Sequence, residues 1–455
     1  MRFLSLLCAF LLSSPLLHAQ PTFTEVQKLL ASDAQSGDNF GHSVSISGDR
    51  ALVGADQEDA GGSGAGAAYV YERNGAGVWQ EVQKLVASDA QANDRFGHSV
   101  SISGDRLVVG ALLEDAGGFD AGAAYVYERD GAGVWQEVQK LVASDAQGGD
   151  LFGDAVSISG DRLVVGAYRE DAGGSSAGAA YVYERDGASV WQEVQKLVAS
   201  DAQAGDVFGA SVSISGDRLV AGAWAEDAGG SDAGAAYVYE RNGAGVWQEV
   251  QKLTASDAQA GDVFGESVSI SGDRLVAGAA GEDSGGTSVG AAYVYERDGA
   301  GVWQEVQKLT SSDAQAIDLF GVSVSISGDR LVVGAFREDA GGFDAGAAYV
   351  YERNGAGVWQ EVQKLVASDA QSSDLFGWSV WISGDRLVVG AILEDAGGSS
   401  AGAAYVYEAL PTANTWAGTN GTDWNDGGNW STGSVPGAAD EIIIPTTPSG
   451  GNFPS

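Results

Sequence analysis

The chain has 455 residues, with 62 Asp and Glu against 24 Lys and Arg, and so a formal net charge of −38. This acidity excludes nucleic acid and anionic membrane as favoured partners, because binding to phosphate needs clustered basic residues. With 44% apolar residues and 68 glycines, the composition favours a folded, turn-rich all-β protein over a disordered one.

Residues 1–19 have the pattern of a secretory signal peptide. Arg2 supplies a positive start, residues 3–12 form an apolar core, and Ala19 ends a plausible cleavage site. A buried strand or a membrane helix is the weaker interpretation, since the apolar stretch is too short to span a bilayer. Cys8 is the only cysteine, so the mature chain would form no disulfide and no Cys-ligated metal site. The sequence thus predicts a secreted or cell-surface protein without membrane insertion.

The next feature is a repeat in which the pair Phe-Gly recurs every 56 residues. Seven phenylalanines mark it, namely Phe40, Phe96, Phe152, Phe208, Phe264, Phe320 and Phe376. Each unit carries four segments in fixed order, exemplified by Ser43–Ser47, Leu107–Ala111, Ala67–Glu72 and Trp79–Leu85. These segments are short, rich in Val, Ile, Tyr or Trp, and bounded by Gly, Asp or Asn, so they predict β-strands.

Four antiparallel strands in each of seven units predict a seven-bladed β-propeller over residues 20–408. An open array or a β-solenoid of the same period is the alternative, but open sheet edges invite aggregation. The small S-V-S-I-S strand suits the crowded inner edge of a blade, and the polar W-Q-E-V-Q-K-L strand suits the outer edge. Tight turns are expected at Gly48-Asp49-Arg50 and at Asn74-Gly75-Ala76-Gly77, where Asn-Gly readily supplies positive φ.

The outer-strand motif that begins with Trp occurs only six times, and no copy follows Glu408. The missing copy stands at the other end, as Phe23–Leu29, one period before Trp79. We therefore predict that this segment forms the outer strand of the last blade, beside Ala403–Glu408. Such a pairing closes the ring and removes an exposed edge.

Residues 409–455 differ in composition from the repeats and predict the start of a second β-rich module. Trp416, Trp424 and Trp430 could stack on a sugar, but tryptophans in this setting more often form the core of a small β domain.

The run F-G-x-S-V-S-I-S-G-D-R-L-V-V-G-A followed by A-A-Y-V-Y resembles the FG-GAP repeat of integrin α-subunit propellers, over residues 23–408. The resemblance implies extracellular adhesion or ligand binding on one face of the disc. Calcium-binding members carry D-x-D-x-D-G between the first two strands, whereas this chain has Ser-Gly-Asp-Arg, and one carboxylate cannot supply the oxygens that calcium prefers. Calcium at other acidic loops, around Asp33, Asp38 and Glu58-Asp59, is an alternative to turn capping and solvated charge.

Candidate catalytic residues are few. His42 and His98 are the only histidines after the signal segment, and they could form a metal pair or a general base, although lone loop histidines are more often surface residues. The carboxylates recur at equivalent positions, which does not give an acid–base pair two different environments. We expect no catalytic residue, no metal and no cofactor, and therefore not an enzyme.

The seven copies differ mainly after Phe-Gly, after the second strand, and in the loop that follows. Strand direction places all three sets on one face and both near-constant turns on the other. The variable sets include aromatic and charged residues, which are favoured at binding hot spots. The candidate ligand-binding residues are Trp378, Trp224, Tyr168, Phe336, His42, His98 and Glu266.

The predicted function is extracellular binding or adhesion, with a protein or a glycan as the partner. A passive spacer in a larger surface protein is the first alternative. A carbohydrate-active enzyme with its site at the central channel is the second, and it would need two carboxylates to converge there.

Overall fold

A computed structural model of the protein describes residues 22–409 apart from 284, together with 414–415, 425 and 442–443. The predicted signal segment and Trp416, Trp424 and Trp430 lie outside the described residues. One compact unit comprises Thr24–Glu408. It consists of seven four-stranded antiparallel sheets, so the predicted seven-bladed propeller is confirmed.

Each blade uses the four predicted segments, and the bounds are as follows. The first strands are β2 (Ser43–Ser47), β6 (Phe96–Ser103), β10 (Val156–Ser159), β14 (Ser211–Ser215), β18 (Val268–Ser271), β22 (Val324–Ser327) and β26 (Phe376–Ser383). The second strands are β3 (Arg50–Ala55), β7 (Arg106–Ala111), β11 (Arg162–Ala167), β15 (Arg218–Ala223), β19 (Arg274–Ala279), β23 (Arg330–Ala335) and β27 (Arg386–Ala391). The third strands are β4 (Ala67–Arg73), β8 (Ala123–Arg129), β12 (Ala179–Arg185), β16 (Ala235–Arg241), β20 (Ala291–Arg297), β24 (Ala347–Arg353) and β28 (Ala403–Ala409). The outer strands are β5 (Trp79–Leu85), β9 (Trp135–Leu141), β13 (Trp191–Leu197), β17 (Trp247–Leu253), β21 (Trp303–Leu309), β25 (Trp359–Leu365) and β1 (Phe23–Leu29).

The strands of a blade follow one another from the axis outwards. The first strand of each blade contacts the first strands of both neighbours, and β26 contacts β2, so these strands form a closed inner ring. The second and third strands are almost wholly buried because they lie between blades. The outer strands are buried only at their first and last residues, and the residues between are exposed or half-buried. The radial order expected from composition is therefore confirmed.

Ring closure follows the prediction, since the last sheet has the order β1-β28-β27-β26. The side chains of β1 repeat the contacts made by the other outer strands. Lys28 Nζ lies 2.8 Å from Asp369 and 2.7 Å from Glu394, just as Lys84 Nζ lies 2.6 Å from Asp33 and 2.8 Å from Glu58 in the first blade. The N-terminal strand thus replaces a seventh copy without a change in local chemistry.

The Phe-Gly pair joins neighbouring blades. Phe40 is fully buried, meets the Tyr69 ring edge-on at 5.4 Å, and donates its N–H to Ala401 O of the last blade at 2.9 Å. Gly41 has φ of 92°, and a Cβ there would lie 2.3 Å from Ala403 O. Only glycine fits this position, because the backbones of two blades meet there.

The two near-constant turns lie together on one face, here named the turn face and defined by Gly48, Asn74 and their equivalents. Arg73 N–H donates to Asp49 O at 2.9 Å, which brings the two turns side by side. The positive φ expected at Asn-Gly is wrong, since the left-handed residue is Gly77, with φ of 83°. Asn74 instead caps the turn, and its Oδ1 accepts backbone N–H groups two and four residues further on.

Outside the propeller unit, Asn414–Thr415 (β29) pairs in parallel with Ile442–Ile443 (β30). This short pair falls within the segment whose sequence predicts a second β-rich module.

Candidate functional site

The residues that follow Phe-Gly stand at the start of the inner strands and surround the propeller axis. We name them the mouth ring, which comprises His42, His98, Asp154, Ala210, Glu266, Val322 and Trp378. The His42 ring lies 4.7 Å from the His98 ring and 6.0 Å from the Trp378 ring. His98 Nε2 lies 3.3 Å from an Asp154 oxygen. Four of the seven positions thus contact one another in sequence around the axis.

The residues directly after the second strands lie beside the mouth ring. Asp56 lies near both His42 and His98, and the Phe336 ring lies 5.0 Å from Trp378. Phe336 is only 8% exposed, so it packs against Trp378 and offers little surface of its own. Ligand binding by Phe336 stays a prediction from the sequence.

Tyr168 and Trp224 are half-buried at the same position of the third and fourth blades. The Arg169 guanidinium lies 5.5 Å above the Tyr168 ring, an arrangement in which cation and ring attract each other. Each aromatic ring therefore keeps part of its surface open on this face.

The third variable set lies in the loop after each second strand. Arg95 links this loop to the first two sets, because its N–H donates to Gly64 O at 3.2 Å and its Nη1 lies 3.1 Å from Asp56. The most exposed large apolar side chains described are Phe119 at 76% and Phe343 at 69%, both in such loops. The three variable sets thus share one face, opposite the turn face, and we name it the variable face.

The electrostatics of the mouth ring are dominated by one buried carboxylate. Asp56 is fully buried, and burial alone would raise its pKa, but His98, His42 and Arg95 outweigh burial and hold the pKa well below its usual range. Burial lowers the pKa of His42. Burial would also lower the pKa of His98, but the Asp154 and Asp56 carboxylates outweigh it and raise the pKa to about 9. His42 and His98 are 16% and 23% exposed, so they are not the free surface histidines that their loop positions suggest.

Glu266, in the fifth blade, differs from Asp56 because burial, and not charged partners, decides the pKa of its carboxyl. Burial raises the pKa of its carboxyl to about 7, because a charged carboxylate loses hydration in the mouth ring. The mouth-ring position therefore carries a group with a shifted pKa in three blades: burial causes the shifts of His42 and Glu266, and neighbouring carboxylates cause that of His98.

The acidic loops outside the mouth are occupied by protein groups. Asp33 accepts a tyrosine hydroxyl at 2.8 Å and the Lys84 ammonium at 2.6 Å, and Glu58 pairs with the same ammonium. Asp38 and Asp59 each accept a backbone N–H of their own loop, at 2.7 and 2.8 Å. These contacts are the turn caps and ion pairs that the sequence favours over calcium ligation.

The site residues predicted from the sequence did not include Asp56, Arg95 or Asp154. The available signal was divergence from the repeat, since Asp56 replaces residues that are apolar or aromatic in the other copies. Their proximity to the histidines could not be read from that divergence.

Among the described residues, we find no helix with the length and apolar character that crossing a bilayer requires.

Comparison with known families matches the FG-GAP repeat, at residues 23–71, 79–127, 135–183, 191–239, 247–295, 303–351 and 359–407. Comparison with curated proteins gave no match.

Three solved structures are similar in fold. A chain from a mitotic checkpoint complex is 12% identical, with a TM-score of 0.51, and the match covers 90% of this chain and 99% of that one. A Lactobacillus plantarum protein is 13% identical, with a TM-score of 0.46 and coverage of 75% and 88%. A periplasmic gluconolactonase of Pseudomonas aeruginosa is 15% identical, with a TM-score of 0.46 and coverage of 72% and 86%. At these identities the likeness concerns the fold alone.

Proposed function

The chain belongs to the FG-GAP repeat family, and on that premise we propose that it is an extracellular binding module. Its partner is a protein or a glycan, held on the variable face around the mouth ring. The observation that carries the proposal is the contrast between seven nearly identical scaffolds and the side chains that differ from blade to blade, mainly on this face.

The scaffold explains why the turn face stays constant. Arg50 pairs with Asp105 of the next blade at 3.2 Å, and Arg386 pairs with Asp49 across the ring closure at 3.2 Å. These ion pairs repeat around the turn face, so its Arg and Asp residues serve the blade interface in every blade. The contacts described for the variable side chains do not repeat from blade to blade, so these side chains can differ to suit a partner.

The composition of the variable face suits a protein or glycan partner. Trp378, Trp224 and Tyr168 offer partly open aromatic rings, and such rings bury much area at little entropic cost in binding sites. The acidic charge of the chain supports this choice over nucleic acid. The signal-like segment at residues 1–19 and the extracellular setting typical of the family support a location outside the cell.

The experiment is a screen of the mature chain against glycan and extracellular-protein arrays, followed by titration of each hit. A triple variant, Trp378→Ala with Trp224→Ala and Tyr168→Ala, should weaken binding by several kcal/mol if these rings are anchors. The matched control carries Val82→Ala, Val138→Ala and Val194→Ala on the outer strands, at side chains that are 44–47% exposed. It should bind like the wild type.

Thermal unfolding of both variants separates binding from folding. Equal affinity of the triple variant and the wild type for a confirmed ligand would contradict the proposed face. A chain that binds nothing in either array would favour the passive spacer. Glycan cleavage by the wild type would favour the carbohydrate-active enzyme.

A further inference from the structure

We propose that His42, His98 and Asp56 form a site for one divalent transition-metal ion, with Zn²⁺ as the best-suited ion. The site lies at the mouth ring, between the first and second blades. It goes beyond the proposed function, because the metal would bind here whatever partner the variable face recognises.

The three side chains are already close enough to share an ion. One ligand atom from each lies within 4.8 Å of the other two. Asp56 Oδ2 lies 3.9 Å from His42 Nε2 and 3.7 Å from His98 Nδ1. A tetrahedral zinc ion with bonds of about 2.0–2.1 Å places its ligand atoms roughly 3.4 Å apart. The Asp56 oxygen would therefore approach each imidazole nitrogen by about 0.3–0.5 Å, and the two imidazole nitrogens would approach each other by at most about 1.4 Å.

Hydrogen bonds outside the trio orient both histidines for metal binding. His42 Nδ1 lies 3.0 Å from His98 O, so it donates to that carbonyl and leaves Nε2 with a free lone pair. His98 Nε2 lies 3.3 Å from the Asp154 carboxylate, which leaves Nδ1 for a metal. Metal-binding histidines commonly hold their second nitrogen in this way, on a carbonyl or a carboxylate.

One proposed ligand atom, and the second oxygen of the Asp56 carboxylate beside it, make no hydrogen bond in the part of the chain that the structure describes. Asp56 Oδ1 and His98 Nδ1 are buried and accept no hydrogen bond from the described residues. Buried polar atoms are nearly always paired, because an unpaired one loses its hydration without compensation. Arg95 occupies only the other oxygen of Asp56, at 3.1 Å from Oδ2. A cation bound between Asp56 and His98 would coordinate His98 Nδ1 and would compensate the lost hydration of the Asp56 carboxylate, to which Oδ1 belongs.

The ligand chemistry selects the class of ion. Two imidazoles and one carboxylate suit Zn²⁺ and neighbouring first-row ions, whereas Ca²⁺ and Mg²⁺ prefer oxygen ligands in larger number. Three protein ligands leave a fourth position open, as in zinc sites that bind an exogenous group. In the other blades, residues such as Leu112 stand where Asp56 lies. Within the described part of the chain, this trio is the only such cluster.

The competing explanation is that a protonated His98 sits between Asp56 and Asp154 and fills the role of the cation. The metal site predicts stoichiometric uptake of Zn²⁺ and a change in the ¹⁵N shifts of the two ligand nitrogens when metal is added. A protonated His98 in the place of the cation predicts neither. Histidine NMR is decisive, because His42 and His98 are the only histidines after residue 19.

The test uses the tag-free mature chain, treated with a chelator and titrated with ZnCl₂ by calorimetry. We expect one Zn²⁺ per chain, with no comparable binding of Ca²⁺ or Mg²⁺. Imidazole ¹⁵N spectra should show metal-induced shifts at Nε2 of His42 and Nδ1 of His98, and at neither of the other two nitrogens. A wild-type chain that binds no Zn²⁺, or binds it without these two shifts, overturns the proposal.

Variants give a second readout. Asp154→Asn removes the partner of His98 Nε2 but no proposed ligand, and it should lower the Zn²⁺ affinity about 10–100-fold. Asp56→Asn and His98→Ala each remove a proposed ligand, and each should lower the Zn²⁺ affinity at least as much as Asp154→Asn does. Asp105→Asn, which removes an exposed carboxylate on the turn face, is the charge-matched control and should bind like the wild type. Undiminished binding by folded Asp56→Asn and His98→Ala also overturns the proposal.

Discussion

Removal of the N-terminal strand tests how the ring is held closed. Deletion of residues 20–29 takes away all of β1 and leaves β28 as an open edge. Phe23 and Leu29 are 2% and 1% exposed, whereas Val26 is 42% exposed, so two large side chains contribute full burial. At about 1.5–3 kcal/mol each, they contribute roughly 3–6 kcal/mol, and each ladder hydrogen bond to β28 adds about 1 kcal/mol.

The deletion also removes the lysine that pairs with a buried carboxylate. Glu394 is 2% exposed and lies 2.7 Å from Lys28 Nζ, so the loss of Lys28 leaves a buried charge without this partner. Unpaired buried charges are strongly destabilising. The free edge of β28 should then recruit a strand from a second chain, because unpaired backbone groups template further pairing.

The assay is urea unfolding followed by tryptophan fluorescence, with light scattering to measure mass. The deletion should lower the free energy of unfolding sharply and promote association, while a chain shortened by residues 412–455 should keep the stability of the propeller. At single-residue resolution, Leu29→Ala should cost about 2–5 kcal/mol, and Val26→Ala less than about 0.5 kcal/mol. A deleted chain that stays monomeric with unchanged stability would refute the closure argument.

Two further predictions concern the blade interface and the mouth ring. Gly41→Ala should destabilise the propeller severely, because its Cβ would lie 2.3 Å from a carbonyl oxygen, whereas Gly75→Ala, which meets nothing within 4 Å, should be nearly neutral in thermal unfolding. The pKa of Glu266 is raised to about 7 in the folded state and is about 4.3 when unfolded. The folded chain therefore holds more protons between these values, and stability falls as pH rises through that window. Glu266→Gln should remove this loss, worth at most about 4 kcal/mol before solvent screening. Urea unfolding of the wild type and of Glu266→Gln at pH 4, 6 and 8 measures this loss of stability. A difference in unfolding free energy that stays constant with pH would contradict the raised pKa of Glu266.

Much of the fold could be predicted from the sequence because the repeat has a fixed length. The four strands of each blade pair with one another. Four segments that recur every 56 residues therefore determine the strand order and the number of blades. The displaced copy at Phe23–Leu29 even determines how the ends meet, since only the last blade lacks an outer strand. The apolar pattern within a strand predicted burial less well. Val26 is apolar but exposed, because no further strand covers the outer edge of the blade.

The candidate site depended on the tertiary structure. His42 and His98 stand 56 residues apart, and along the chain each looks like a lone loop histidine. The closed inner ring brings equivalent positions of adjacent blades within 4.7 Å, and the end of a second strand then places Asp56 beside both. Periodicity reveals which positions are equivalent, but the distance between neighbouring blades is set by how Phe40 and its equivalents fill the interface. Contacts across that interface, and with them the burial of Phe336 and the metal-ligand geometry, are fixed only when the ring closes.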